Sequence, residues 1–158
     1  MLRGVLRLVA SDVILTAFAR PPLDPIASVG YIFMMDTEEF ERLVHDALTD
    51  VPEWLMEKLE NIDIVIEDEP TRDELRELHV GRRSTLLGLY QGVPLTKRGF
   101  WYGNVLPDRI TLYMGPILRQ GGGPEDIAGR VREVVVHEIA HYFGFSDAEL
   151  KRLERGDG

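Results

Sequence analysis

The strongest constraint on this chain lies between Gly123 and Gly144, a stretch that reads as one long helix. Pro124 suits the first helical position, where a missing N–H costs nothing, and Glu125 and Asp126 complement the positive end of the helix dipole. Ile127, Val131, Val135, Ile139 and Tyr142 recur at helical spacing and form an apolar face that a core must cover. The helix should run to about Phe143 and stop at Gly144, because glycine enters the left-handed conformation without steric cost. Such a helix cannot stand alone, so the rest of the chain has to supply the layer it packs on.

The same helix carries the chemistry, in the run VVVHEIAHYFGFSD over residues 134–147. His137 and His141 are four residues apart, which puts both imidazoles on one face about one turn apart, as a shared pair of metal ligands requires. Glu138 projects about 100° further round. From there it can reach a metal-bound water without being a ligand itself. From this composition a His-Glu-x-x-His match arises by chance about once in a hundred such chains, and about once in ten thousand with Gly144 and an Asp or His at position 147. Chance is therefore a poor account of the pattern. Asp147 is the expected third ligand, because a left-handed turn at Gly144 can bring a short side chain back toward the imidazoles. Its bland alternative is an acid placed in the first turn of a final helix for the sake of the dipole. Ser146 and Glu149 form a Ser-x-x-Glu start for that helix, which occupies Glu149 with backbone N–H groups.

Two imidazoles and a carboxylate make a catalytic zinc set with one position left for water, so the expectation is one Zn2+ per chain and Glu138 as general base. A second donor to the oxyanion is usual in such chemistry, and Tyr90, Tyr102, Tyr113 and His79 are unranked candidates. The chain has no cysteine, which excludes thiolate zinc sites and thiol nucleophiles. Its formal charge of −9 argues against a nucleic-acid partner, which needs a basic face. No stretch approaches the roughly 20 apolar residues of a membrane span.

The remaining elements form an α+β pattern. Asp36 and Glu39 start a helix whose apolar positions are Phe40, Leu43, Val44, Ala47, Leu48 and Val51, and Pro52 restarts or kinks it. Ile62–Ile66 is strand-like, and Thr71 with Glu74 caps a short helical turn. Thr85–Tyr90, Phe100–Val105 and Arg109–Met114 are three further strand candidates, punctuated by Gly92, Pro94, Gly99 and Pro107. Residues 1–35 read as a separate extension and 36–155 as the domain. The extension is an amphipathic helix or a loosely ordered lead. Its first 19 residues also have a faint signal-peptide look, although Arg7 and Asp12 interrupt the apolar run. A short strand is expected at Val29–Met34, after Pro21, Pro22 and Pro25. The tail at residues 155–158 should fray. A cysteine-free chain fits the cytoplasm, with secretion as the alternative if residues 1–19 act as a signal.

The HEIAHYFGFSD run resembles the zincin signature, with Asp147 where metzincins usually carry a third histidine. Only eleven residues follow Asp147, which leaves no room for a metzincin Met-turn. The chain is more similar to short bacterial zincin-like metallopeptidases over about residues 36–150, through Asp36–Leu48, IVIEDEP (64–70), LLGLYQGVPLT (86–96), LPDRITLYMGPI (106–117) and the histidine motif. The resemblance implies a small mixed sheet packed against an N-terminal helix and the active-site helix, with a minimal C-terminal part. It also implies zinc binding and hydrolysis of a peptide or protein substrate. Substrate would add a strand to an exposed sheet edge, Leu87–Gln91 or Phe100–Asn104. Residues 1–35 could act as an inhibitory prosegment. A metal-stabilised binding module without turnover is the competing expectation.

Overall fold

The computed structural model describes residues 13–19, 35–81, 84–99, 106–120 and 122–154. Helix α1 (Thr37–Thr49) begins where the sequence marks it, with the Asp36 carboxylate accepting the Glu39 N–H at 2.8 Å. It buries Phe40, Val44 and Ala47. Pro52 starts the short α2 (Glu53–Met56). Strand β2 spans Ile62–Glu67, and α3 (Arg72–Glu77) follows a complete capping box between Thr71 and Glu74. Strands β3 (Ser84–Gln91) and β4 (Asp108–Tyr113) contribute most of the buried strand residues. Helix α4 (Met114–Gln120) leaves β4 directly, α5 (Pro124–Tyr142) is the long helix, and α6 (Asp147–Glu154) closes the described chain.

With β1 (Val13–Ala19), the strands form one four-stranded sheet in the order β1-β3-β4-β2. β2 and β4 are parallel, while β3 runs antiparallel to both β4 and β1. One face of the sheet carries Leu87, Tyr90, Ile110 and Leu112 against α1, α4 and α5 in the main core. The expected helix face (Ile127, Val131, Val135, Ile139 and Tyr142) is buried there, together with Val134. The other face is thinner, with Leu86, Leu89 and Tyr113 covered by Leu75 and Leu78 around α3. Opposite Thr16 and Ala17 of β1, β3 advances from Gly88 to Leu86, so Leu87 is an extra residue, a β-bulge. The bulge is what allows adjacent Leu87 and Gly88 to meet the same helix layer.

Three expectations are corrected. Val13–Ala19 is neither an amphipathic helix nor a loose lead but a strand, consistent with the β-branched Val13, Ile14 and Thr16 and with a pairing partner that local sequence cannot reveal. Leu87–Gln91 is not an exposed edge, since β3 pairs with β1 on one side and β4 on the other. Strand Arg109–Met114 ends at Tyr113, because Met114 opens α4. Gly115 and Pro116 hide that helix from a propensity reading, yet a proline in the first turn is tolerated. Gly115 is also demanded by packing, since a Cβ there would lie 2.8 Å from the Asp68 carbonyl oxygen. The strand candidates Phe100–Val105 and Val29–Met34, and the tail at 155–158, lie outside the described residues.

Candidate metal centre

The centre is built where α5 ends. The Asp126 carboxylate accepts the Gly123 N–H at 2.8 Å at the start of α5, and nineteen residues later the helix stops at Tyr142. Gly144 follows with φ of +96°, the left-handed region that glycine favours. A side chain is barred there on a second count, because the Thr96 hydroxyl side packs against the Gly144 Cα. Thr96 lies in a single 3-10 turn, Leu95–Lys97, so the loop after β3 braces the turn that reverses the chain. Ser146 and Glu149 then form the expected capping box, with the Ser146 N–H donating to Glu149 Oε2 at 2.8 Å.

That reversal brings His137, His141 and Asp147 together, with one ligand atom of each lying within 4.8 Å of the others. Asp147 Oδ1 stands 3.0 Å from His137 Nε2 and 3.2 Å from His141 Nε2. Ligand atoms about 2.0–2.1 Å from a tetrahedral zinc stand about 3.3 Å apart, so these separations suit a small cation. The two imidazoles meet edge to face with centroids 4.7 Å apart. Glu149, engaged by Ser146, is not part of the cluster.

Protonation supports the same conclusion. His141 is wholly buried, and its Nδ1 lies 2.7 Å from the Phe145 carbonyl oxygen, a contact that requires Nδ1 to carry the proton and donate. In the neutral ring Nε2 is then an acceptor. It is buried, makes no hydrogen bond, and faces another acceptor, the Asp147 carboxylate oxygen. Two acceptors at that separation need a proton or a metal cation between them. Without metal the proton is favoured. Burial pulls the His141 pKa down, but the Asp147 carboxylate facing Nε2 and the Phe145 carbonyl, with the charge of Glu138, favour the protonated ring and hold it above the ordinary histidine value. Burial likewise raises Asp147, and the two histidines more than offset this, keeping its carboxyl far below the usual carboxylate range.

Glu138 sits at 0% exposure between the histidine face and the sheet. Its carboxylate lies over Gly88 of β3, where an added Cβ would come within 2.7 Å of Glu138 Oε1 and 2.8 Å of Val134 Cγ1. Gly88 is thus a site residue that reading the motif alone misses. The signal that could have found it is a glycine inside an otherwise apolar strand, which often marks close backbone approach.

Among these observations the family can be assigned. A family model for zincin-like metallopeptidases matches residues 59–157, or 99 of the 158 positions. The chain belongs to that family. No curated protein matches it. The matched span of this zincin-like chain begins just before β2 and takes in the sheet strands β2 to β4, α5 and the whole donor cluster, while α1 and β1 lie upstream of it.

Among the described oxyanion candidates, Tyr90 and Tyr113 are hydrogen-bonded to other carboxylates, although Tyr113 also feels the charge of Glu138. The Tyr90 hydroxyl donates to Asp108 at 2.7 Å, and burial first, then that bond, pushes its pKa well above the ordinary tyrosine value. The Tyr113 hydroxyl donates to Glu74 at 3.1 Å. His79 is exposed at the end of α3, and Tyr102 lies outside the described residues.

A second polar cluster lies beside the first. Arg98 pairs with Asp108, both almost buried, and its guanidinium also donates to the Val93 carbonyl at 2.9 Å and stacks 4.7 Å from the centre of the Tyr142 ring. The Tyr142 hydroxyl accepts from Arg98 at 3.3 Å and from the Glu60 N–H at 3.2 Å, and lies 3.0 Å from the Lys58 carbonyl oxygen. This network ties the C-terminal end of α5 to β4 and to the loop before β2. No helix among the described residues is long and apolar enough to cross a membrane.

Proposed function

We propose that the protein is a zinc-dependent peptidase in which His137, His141 and Asp147 hold one zinc ion per chain and Glu138 is the general base. The observation that carries this reading is the convergence of three donor atoms around a buried Nε2 whose tautomer leaves it free to bind a cation, with a buried carboxylate one residue from the first histidine. A zinc ion in such a set lowers the pKa of bound water toward neutrality and polarises a carbonyl oxygen. The Phe145 carbonyl holds the His141 ring in the ligand tautomer and orientation. Glu138 takes the proton of the attacking water and returns it to the leaving amine. Gly88 supplies the space in which that carboxylate lies against the strand. Peptide or protein is the substrate class, and a cysteine-free composition supports the cytoplasm as its compartment.

A second reading, a metal-stabilised binding module without turnover, is favoured by one observation: β1 covers the β3 edge on which an extended peptide would pair. Metal analysis followed by cleavage of a peptide library, with and without chelator, separates the two. Under the peptidase reading Glu138→Gln keeps its zinc and loses about 10²–10⁴ in turnover, because the amide cannot accept the proton. A Gln variant as fast as the unaltered protein overturns the mechanism, and zinc-loaded protein that cleaves nothing favours the binding module.

A further inference from the structure

β3 is the strand on which the centre rests, and its two sides are used unequally. It pairs with β4 only over Gly88–Gln91, whereas β1 follows it from Gln91 to Ser84. Among the described residues β1 is the outermost strand on that side, so without it β3 is the end of the described sheet. The residue beneath Glu138 is Gly88, and the β1 residue paired with Gly88 is Thr16. The β1 backbone therefore passes one inter-strand spacing, about 4.8 Å, from the strand over which the carboxylate of the general base lies. α5 touches β1 as well as β3. An extended peptide offered for cleavage has to run beside that base, and pairing with the sheet edge next to α5 is the way to hold it there. β1 already holds that place, in the antiparallel sense, and its sequence VILTAFA is uncharged and rich in strand-forming residues.

We propose that Val13–Ala19 is a displaceable occupant of the substrate edge. The strand lies where an extended, uncharged, apolar peptide pairs with Ser84–Gln91, and its departure opens the centre. This rests on the peptidase reading for its biological sense. Exchange of one strand for another conserves the backbone hydrogen bonds, so the balance is set by effective concentration. A tethered strand competes at about millimolar levels, which keeps weakly binding peptides out of the full chain.

The chain's lack of cysteine makes the test clean. Val13 and Gln91 are register partners, so Val13→Cys with Gln91→Cys can lock β1 onto β3 by a disulfide. The zinc-loaded, oxidised full chain should cleave a peptide library at least tenfold more slowly than the same protein treated with a phosphine reductant. Equal rates overturn the proposal. A second arm needs no turnover: fluorescein-labelled VILTAFA peptide is titrated by anisotropy into zinc-loaded full-length protein and its Leu15→Pro variant, which puts a poor strand former in the middle of β1, opposite Leu89. At least tenfold tighter binding to Leu15→Pro is expected. Equal binding overturns the proposal, as does a Leu15→Pro chain that fails to fold or to hold zinc, since β1 is then a structural strand. If no form cleaves any peptide, the peptidase reading fails, and the anisotropy arm still decides strand exchange.

Discussion

His141 and Tyr142 are neighbours in sequence, yet their side chains enter polar clusters of opposite construction. Around Tyr142 donors and acceptors are matched: Arg98 serves Asp108, the Val93 carbonyl and the Tyr142 hydroxyl, and Tyr90 adds a second donor to Asp108. Around His141 two acceptors are set against each other: Nε2, which makes no hydrogen bond, faces the Asp147 oxygen. The first cluster is complete as protein and acts as a brace, whereas the second needs a proton or a metal cation between its facing acceptors. The contrast shows how a buried polar group can be sorted by whether the chain itself satisfies it.

The largest expected effect tests that sorting directly. His137→Ala with His141→Ala should remove zinc altogether, read as metal per chain by elemental analysis, while the matched cluster and the fold remain. Full zinc occupancy in the double variant would end the argument for a metal centre. Asp147→Ala comes next, with a large fall in zinc affinity measured by chelator competition; unchanged affinity would return Asp147 to the role of a helix-start acid.

On the other cluster, Arg98→Ala leaves Asp108 buried without its cation. A loss of about 3–5 kcal/mol in denaturant unfolding is expected, with zinc still bound to the folded protein. If Arg98→Ala costs less than Asp147→Ala in metal-free stability, the brace has been misassigned.

A subtler contrast is in pH. In the metal-free protein the raised pKa of His141 gives stability that is fully present below its unfolded value of 6.5 and is lost as pH rises through the folded value. The depressed pKa of Asp147 gives stability present above 3.8 and lost as pH falls through its folded value. Zinc affinity has the opposite slope to the histidine contribution, because the imidazoles must be neutral to bind. Thermal melts with and without chelator, between about pH 5.5 and 8.5, should therefore diverge as pH rises. Parallel curves would contradict the protonation scheme. The smallest effect belongs to Glu149→Ala, which should change neither zinc affinity nor turnover, since that carboxylate caps α6 through Ser146.

What was legible in the sequence follows the range of the forces involved. The starts of α1, α3 and α6 are written in residues three apart, Asp36 with Glu39, Thr71 with Glu74, and Ser146 with Glu149, because a cap is a local hydrogen bond. The donor cluster is legible for the same reason, as a helix and one glycine bring it together. α4 was missed because Gly115 and Pro116 disguise a first turn whose burial is decided by the sheet. The Arg98–Asp108 pair joins residues ten apart in sequence with no local pattern to betray it. β1 is decided by a partner some seventy residues away in sequence, Ile14 against Tyr90, and no local pattern encodes that choice.

All three donors of the centre fall within the eleven residues from His137 to Asp147. A cation there closes a very short loop, so it removes little loop-closure entropy from the unfolded chain. The unfolded chain also keeps the three side chains near one another and retains some hold on the ion, which subtracts from the preference for the native state. The ion is therefore a poor rivet for the fold: stripping it should leave the sheet and its helices standing. The same placement would let the domain take up and release a metal ion without unfolding.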